Sequence, residues 1–359
     1  MKKAIVCGAG GFIGGHMVDR LLDDGYRVIA VDIKPISDWF QDFDNSIKRK
    51  SESTTITWCE SHDLFDLRDA EKVDRLIRTE NPDEIYQFAA DMGGAGYVFT
   101  GEHDADIMHN SATINLNIAS SVVKWCKLAK VFYSSSACIY PAYNQTDPND
   151  PNCEEGSAYP ADPDSEYGWE KLFSERMWKA YARNYKINVR IARFHNIFGP
   201  NGSWEDGKEK APAAMCRKAI EAGYYAPIVG TLTDDTLYSR KPSMEVWGDG
   251  QQTRSFLYID ECIEAVRRLM ESSVETVINI GSDEMIKIND LAKMAIEISG
   301  KDTIIENIEG PEGVRGRNSD NKLIQELLGW SPFKPLREGM EKTFNWIKEQ
   351  VDASYNKVC

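Results

Sequence analysis

The chain opens MKKAIVCGAGGFIGGHMVDRLL, and this stretch restricts the fold more than any other. A short apolar run at 3–8 ends in glycine, and apolar residues then recur at helical spacing over 12–24. Glycines at 8, 11 and 14 mark the change from one pattern to the other. Lacking a Cβ, they let a strand turn directly into a helix and let the backbone approach a bound group closely. The free amides of such a helix end favour a diphosphate. Two lysines before an apolar run can mimic a signal peptide, but this run is short and broken by glycines. A second strand, YRVIAVD, covers 26–32. Asp32 ends it at the separation expected of an acid that hydrogen-bonds adenosine ribose hydroxyls and repels a 2′-phosphate. The pattern predicts an NAD site, rather than an NADP site, built from Gly8, Gly11, Phe12, Ile13, Gly14 and Asp32.

The alternation continues. Strand-like runs lie at 55–61, 84–91, 129–136 and 188–194, with amphipathic stretches at 69–80, 106–127 and 165–184 between them. Repeated strand–helix alternation predicts an α/β fold with a doubly wound parallel sheet covered on both faces. Asp66 and Leu67 follow the third strand, where they would frame an adenine; a polar cap on the next helix is an equal reading of Asp66. Beyond 194 the pattern is less regular, with helices expected at 208–221, 260–272, 287–299, 319–328 and 335–351.

Composition excludes several functions. A net charge of −15 repels phosphate backbones and acidic membrane surfaces, so neither nucleic acid nor membrane is expected as a partner. No apolar run is long enough to span a membrane. The eight cysteines are scattered without a CxxC pair, and the five histidines show no ligand spacing. Neither a metal site nor a disulfide framework is expected, and reduced thiols point to a cytoplasmic protein.

YGWEK places Tyr167 and Lys171 on one helical face. A Lys ammonium beside a phenol lowers its pKa from about 10, so that the phenolate takes a proton from a substrate hydroxyl as hydride leaves. Ser136 ends the strand in FYSSSACIYP and could bond the same hydroxyl. Taken singly, Ser136 reads equally as a cap and Tyr167 as a packed aromatic. The order GxxGxxG, strand-end Ser, YxxxK is far more specific than any of its parts.

At these residues the chain resembles the extended short-chain dehydrogenase/reductases that act on nucleotide sugars. The resemblance covers most of the chain. It implies a Rossmann-type domain at 1–190 for NAD and a smaller C-terminal α/β domain at 191–359 for the sugar nucleotide, with segments near 245–275 returning to the first. SSACIYP, GKEKAPAAMCRKA, AADMGG, RFHNIFGP and GPEGVRGRNSDN are similar to stretches of the GDP-mannose 3,5-epimerase family. That resemblance implies a GDP-sugar substrate, with GDP-D-mannose converted to GDP-L-galactose and GDP-L-gulose as a further product.

Inversion of a carbon beside a C4 ketone needs one proton carrier on each face, and the resemblance assigns these roles to Cys138 and Lys210. A thiol pKa falls near cations and a buried lysine's is lowered. Alone, Cys138 would read as inert and Lys210 as a solvated helix residue. The resemblance further implies substrate contacts from Gly94, Ser136, Ala137, Asn196, Glu209 and Ala211. It implies a further substrate contact from Thr253 and places Lys218, Gln252, Arg254 and Arg317 at the diphosphate and guanine end. His195 lacks metal partners and reads as structural. The resemblance implies a homodimer through helices near 106–127 and 166–185, which could equally just cover the sheet. The stretch at 221–244 is longer than in the plant-type enzymes and lies beside the nucleotide pocket in sequence.

Two rivals follow. Another NAD-dependent 4-epimerase, dehydratase or decarboxylase would share the fold, but a dehydratase carries an acid after the serine where Ala137 and Cys138 stand. A non-catalytic NAD-binding sensor would lose the Tyr or the Lys, and both are present.

Overall fold

The alternating run folds as its periodicity predicts. The computed structural model describes residues 1–40, 56–57, 65–222, 242–311 and 313–358. In chain order these form β1 (Lys3–Cys7), α1 (Phe12–Asp23), β2 (Arg27–Val31), β3 (Ile56–Thr57), α2 (Ala70–Glu80), β4 (Glu84–Gln87), α3 (Asp104–Trp125), β5 (Lys130–Ser136), α4 (Glu166–Tyr185), β6 (Asn188–Phe194) and β7 (Ile197–Phe198). There follow α5 (Ala211–Glu221), β8 (Ser243–Trp247), β9 (Thr253–Ser255), β10 (Leu257–Tyr258), α6 (Ile259–Glu271), β11 (Ile278–Ile280), β12 (Met285–Lys287), α7 (Ile288–Ser299), β13 (Ile304–Ile308), β14 (Gly316–Arg317), α8 (Lys322–Leu328) and α9 (Leu336–Val358). Of the strand expected at 55–61, Ile56–Thr57 is a strand and 58–61 lie outside the described residues; so do 223–241 of the long stretch at 221–244.

Seven parallel strands make the main sheet in the order β11-β6-β5-β4-β1-β2-β3. β1 and β2 are apolar on both sides, as a parallel sheet with two covered faces requires. Ala4 and Val6 point to the face covered by α1 and α6, while Ile5 and Cys7 point to the face covered by α2, α3 and α4. Burying each Val or Ile in this way contributes about 1.5–3 kcal/mol. The strand order reverses between β1 and β4, and a crevice opens there beyond the carboxyl ends of the strands.

The boundary expected at 190 cuts through β6, which sits inside the main sheet. The chain returns to this domain within 245–275, where α6 packs on α1, and again just beyond it, where β11 pairs β6 at Ile278–Ile280. Small sheets β12-β9-β14 and β13-β8, with α5, α7 and α9 packed together, form the layer that closes the crevice from the other side.

Candidate active site

The Gly-rich turn is tight for a steric reason. A Cβ on Gly14 would lie 2.0 Å from the Gly8 carbonyl oxygen, so a side chain there would push α1 away from β1. With glycine, the N-terminus of α1 reaches the crevice, and Gly8, Gly11, Phe12, Ile13 and Gly14 all line it. The Asp32 carboxylate stands at its edge, accepting from Gly10 N–H at 2.9 Å and Lys34 N–H at 2.8 Å. Each oxygen keeps a lone pair for a ribose hydroxyl. Burial raises the Asp32 pKa, and these backbone donors oppose it. The crowded turn and this carboxylate suit a dinucleotide. Asp32→Ala is expected to weaken NAD binding about 10–100-fold, since a charged hydrogen-bond acceptor contributes about 1.5–3 kcal/mol. Calorimetric titration with NAD and NADP checks it, and the preference over NADP should shrink as well.

Asp66 and Leu67 also line the crevice. The helix cap that Asp66 might have supplied comes instead from Asp69, which accepts from the Glu71 and Lys72 N–H groups. Asp66 pairs with Arg68 at 2.8 Å, which holds its carboxyl below the usual range.

β5 delivers Ser136 to the floor of the cleft. Its Oγ accepts from Cys138 N–H at 3.2 Å and caps the helical turn Ala137–Ile139. Ser165 caps α4 through Gly168 N–H, so Tyr167 lies in the first helical turn. A Cβ on Gly168 would fall 2.2 Å from the Cys138 carbonyl oxygen, so glycine lets α4 press directly on the Cys138 loop. Lys171 Nζ donates to the Ser134 carbonyl at 2.9 Å and stands 5.6 Å from the Tyr167 ring centroid.

The expected lowering of the Tyr167 pKa is not what the fold produces. Burial drives it up, Cys138 and Glu170 add to this, and a hydrogen bond with Ser136 opposes it. The Lys171 ammonium, which burial itself makes easier to deprotonate, is turned onto a backbone carbonyl.

Lys210 stands at the cap position just before α5, its backbone extended at φ −77° and ψ 156°. Its pKa is lowered, first by burial and then by Arg317, with Cys138 opposing. It shares the cleft with Ser136, Ala137, Cys138, Tyr167 and Lys171. The whole cavity measures about 1190 Å³, above the ~300–1,000 Å³ usual for one small ligand. It has room for a dinucleotide and a second nucleotide together.

The other expected contacts divide. Gly94, Asn196, Glu209, Ala211, Lys218, Gln252 and Arg254 line the cleft. Gln252 Oε1 and Glu209 Oε2 are buried there without partners, which marks both as waiting for a ligand. Asn196 takes a positive φ of 42° and donates to the Ser255 carbonyl at 3.1 Å. Lys218 donates to the Glu245 carbonyl at 2.8 Å. The Arg254 pKa is lowered to about 10 by burial and by Arg317, its register partner on β14.

One assignment needs correction. Thr253 does not line the cleft: its hydroxyl donates to the Pro148 carbonyl. Arg317 does line it, as expected of a substrate contact, and its guanidinium is held by neighbours. It donates to Gln145 Oε1 at 2.6 Å, Cys138 Sγ at 3.2 Å and Asp164 Oδ2 at 2.9 Å. Sequence reasoning missed Asp164 and Gln145, since both sit in turn-like segments with no spacing to single them out. It also missed Trp247 in the cleft wall. His195 is buried, its Nε2 lies 3.0 Å from Asn279 Oδ1, and burial lowers its pKa to about 3, all consistent with a structural role. Among the described residues no group of three or more His, Cys, Asp or Glu could hold a metal ion, and no helix is long and apolar enough to cross a membrane.

Comparison with known proteins agrees with this geometry. Residues 4–281 match the model of the NAD dependent epimerase/dehydratase family. The chain is similar to GDP-mannose 3,5-epimerase of Arabidopsis thaliana, 43% identical over 355 residues, covering 99% of this chain and 84% of that one. It is 42% identical over 348 residues to GDP-mannose 3,5-epimerase 1 of Oryza sativa subsp. indica, covering 97% and 82%. In fold it is similar to UDP-glucuronic acid 4-epimerase of Bacillus cereus, solved in complex with UDP-glucuronic acid and NAD, with a TM-score of 0.75, 23% identity and coverage of 97% and 99%. A Gly-rich NAD cradle, a Ser136–Tyr167–Lys171 centre and relatives matched over nearly the full chain lead to one conclusion: the chain belongs to the NAD dependent epimerase/dehydratase family, within its GDP-mannose 3,5-epimerase branch.

Proposed function

We propose that this chain is an epimerase that converts GDP-D-mannose to GDP-L-galactose, with GDP-L-gulose as the product when C5 alone inverts. The observation that carries the reading is the presence of Cys138 and Lys210 in the same cleft as Ser136, Tyr167 and Lys171. Oxidation of an alcohol needs only the last three; two further proton carriers point to chemistry beside the carbonyl.

Gly8, Gly11, Gly14 and Asp32 would hold NAD, which when bound would supply a reversible hydride acceptor for C4, so that the cycle would have no net redox change. Tyr167 takes the C4 hydroxyl proton while Ser136 holds the hydroxyl. Lys171 supplies the positive charge that offsets the phenolate as it forms. The hydrogens on C3 and C5 are then α to a ketone. A base removes one as a proton, the electron pair moves into the enolate, and an acid on the opposite face returns a proton to the same carbon. Cys138 and Lys210 fill these roles. A lysine whose pKa is lowered by burial holds more neutral amine near neutral pH and exchanges protons faster.

Incubation with GDP-mannose in heavy water, read by mass and proton NMR, tests the reading. Deuterium at C3 and C5 with new GDP-hexoses supports it. Bound NAD with no exchange would sink it and direct attention to other nucleotide sugars.

We also infer a homodimer in a reducing, cytoplasmic setting. The dimer reading is supported by the outward faces of α3 and α4, which pack side by side and expose Leu116, Trp169 and Phe173 at 40%, 39% and 47%. Trp169 and Phe173 are one helical turn apart, so their exposure forms a patch rather than scattered residues. The Trp169→Glu, Phe173→Glu double variant is expected to sediment as a monomer. The compartment reading rests on six cysteines that stand as free thiols among the described residues.

A further inference from the structure

Two segments from different parts of the fold meet over the redox centre. Residues 93–99 follow β4, and residues 206–210 lead into α5. Both contribute to the cleft wall. Val98 of the first packs on the Tyr167 ring, and the second ends at Lys210. The backbones approach closely: a Cβ on Gly94 would fall 2.9 Å from the Lys208 carbonyl oxygen. Yet among the described residues no hydrogen bond or ion pair joins the two segments. What joins them is one side-chain contact. Lys208 Nζ stands 4.9 Å from the centroid of the Tyr97 ring, an ammonium over an aromatic face. That ring is held from its own side. His103, at the cap position before α3, stacks on it at 4.1 Å and 14°. Its hydroxyl donates to Asp91 Oδ1 at 2.8 Å, and Asp91 Oδ2 accepts from Asn110 Nδ2 of α3 at 2.8 Å. Lys208 is the exposed partner, and it follows Gly207, whose φ of 76° lies in the left-handed region that favours glycine. A fixed aromatic platform thus faces a cation carried on a glycine-hinged arm.

We propose that Lys208 and Tyr97 form a clasp that closes the cleft during turnover: Lys208 is a positioning residue that holds the 206–210 segment on the Tyr97 platform, so that the oxidised sugar stays in place until hydride is returned to it. The chemistry creates the need. Once C4 has given up its hydride and its hydroxyl proton, the sugar is a ketone and its two electrons are on the cofactor. If the ketone leaves at that stage, NADH stays behind, and the cycle supplies no other oxidant to restore NAD. A one-way dehydrogenase releases its ketone as product; an epimerase must keep it. The clasp has the strength for this task. A cation over a ring shifts an open–closed equilibrium by only about 2–30-fold, so it breaks easily once the final alcohol is made. It also has the position. Val98 lies on Tyr167 on one side and Lys210 lies just beyond Lys208 on the other, so opening the clasp separates the acid–base at C4 from a proton carrier for its neighbours.

The proposal rests on the epimerase reading, but its first readout does not. Backbone hydrogen exchange of the NAD-bound enzyme is followed by mass spectrometry in the absence of sugar. Lys208→Met keeps the stem and removes the charge, and at an exposed position it leaves the fold intact. Exchange in peptides covering 93–99 and 206–210 should quicken about 2–30-fold, with β5 unchanged. Tyr97→Leu should do the same, and the double variant should open no further than either single one, because both remove the same contact. Lys208→Arg, which keeps a cation over the ring, should stay within about 2-fold of the unaltered enzyme. The second readout uses GDP-mannose. After turnover and removal of free sugar, the absorbance of bound NADH measures enzyme stranded by loss of the ketone. Lys208→Met should raise the stranded fraction about 2–30-fold. Unchanged exchange in both Lys208→Met and Tyr97→Leu would overturn the proposal. So would a higher KM with no rise in stranded NADH, since Lys208 would then be a substrate contact. If GDP-mannose is not the substrate, no NADH forms even in the unaltered enzyme, while the hydrogen-exchange effect should still appear, which separates failure of the reading from failure of the proposal.

Discussion

Tyr167→Phe is expected to lower kcat about 10²- to 10⁴-fold, the usual contribution of a positioned general acid–base, while leaving NAD bound. The ring is buried against Val98 and Ile107, and phenylalanine keeps that packing. The lost hydroxyl costs the fold about 1 kcal/mol, one hydrogen bond's worth. The NAD cradle lies at the other end of the cleft, on β1, α1 and Asp32, and does not touch Tyr167 by any hydrogen bond described. Turnover followed by NMR, bound NAD followed by absorbance, and a thermal melt together check the result. A variant with near-normal turnover would remove Tyr167 from the chemistry and leave it as a packed aromatic. Burial, then Cys138 and Glu170, raise the Tyr167 pKa, and a hydrogen bond with Ser136 opposes them. No neighbouring hydroxyl can replace it: Ser136 already accepts from Cys138 N–H, and Tyr133 lies behind Lys171 with its hydroxyl buried.

Removing either proton carrier is expected to have an effect of the same order, but on a different step. Cys138→Ser should keep NAD binding and oxidation at C4 while losing most deuterium entry at C3 and C5, about 10²-fold or more. A hydroxyl in place of the thiol titrates far too high to act as the base. Lys210→Arg keeps the charge and much of the bulk, yet arginine stays protonated, so exchange should fall as far as in Lys210→Met. Equal losses in both lysine variants would show that Lys210 exchanges a proton rather than merely holding charge. Normal exchange in Lys210→Arg would make it an electrostatic contact only. Full exchange in Cys138→Ser would remove the thiol from the mechanism. Single-turnover transfer to bound NAD, read by absorbance, separates these cases from loss of oxidation at C4.

How much of this was legible in the chain depends on how far apart the participants lie. The Gly8–Gly14 turn, Asp32 at the end of β2 and the Tyr167–Lys171 pair are each contained in one element or two adjacent ones. Their spacing is set by strand and helix periods, and the periods are visible in the residues. The same reasoning placed β6, but set a boundary at 190 in its middle, because a sheet that takes in β11 from nearly ninety residues later leaves no local mark on the chain. Thr253 was read by its place in a motif, and its hydroxyl proved to be turned to the Pro148 carbonyl. The lowering of the Tyr167 pKa was inferred from its spacing to Lys171. Spacing says that two residues share a helical face; it does not say that the ammonium has been claimed by a carbonyl of β5.

The parallel sheet, the NAD cradle and the placing of Ser136, Tyr167 and Lys171 follow from the residues alone, because local periodicity and glycine sterics act within a few residues and admit few other folds. It takes the packed fold to bring Arg317 to Cys138 across 179 residues of chain and to Asp164 across 153, and to put Lys210 in the same cleft. Such contacts depend on how separate layers stack and on which strand pairs with which. Charge and hydrogen bonding then select among the neighbours that packing has supplied, and no spacing along the chain records that choice.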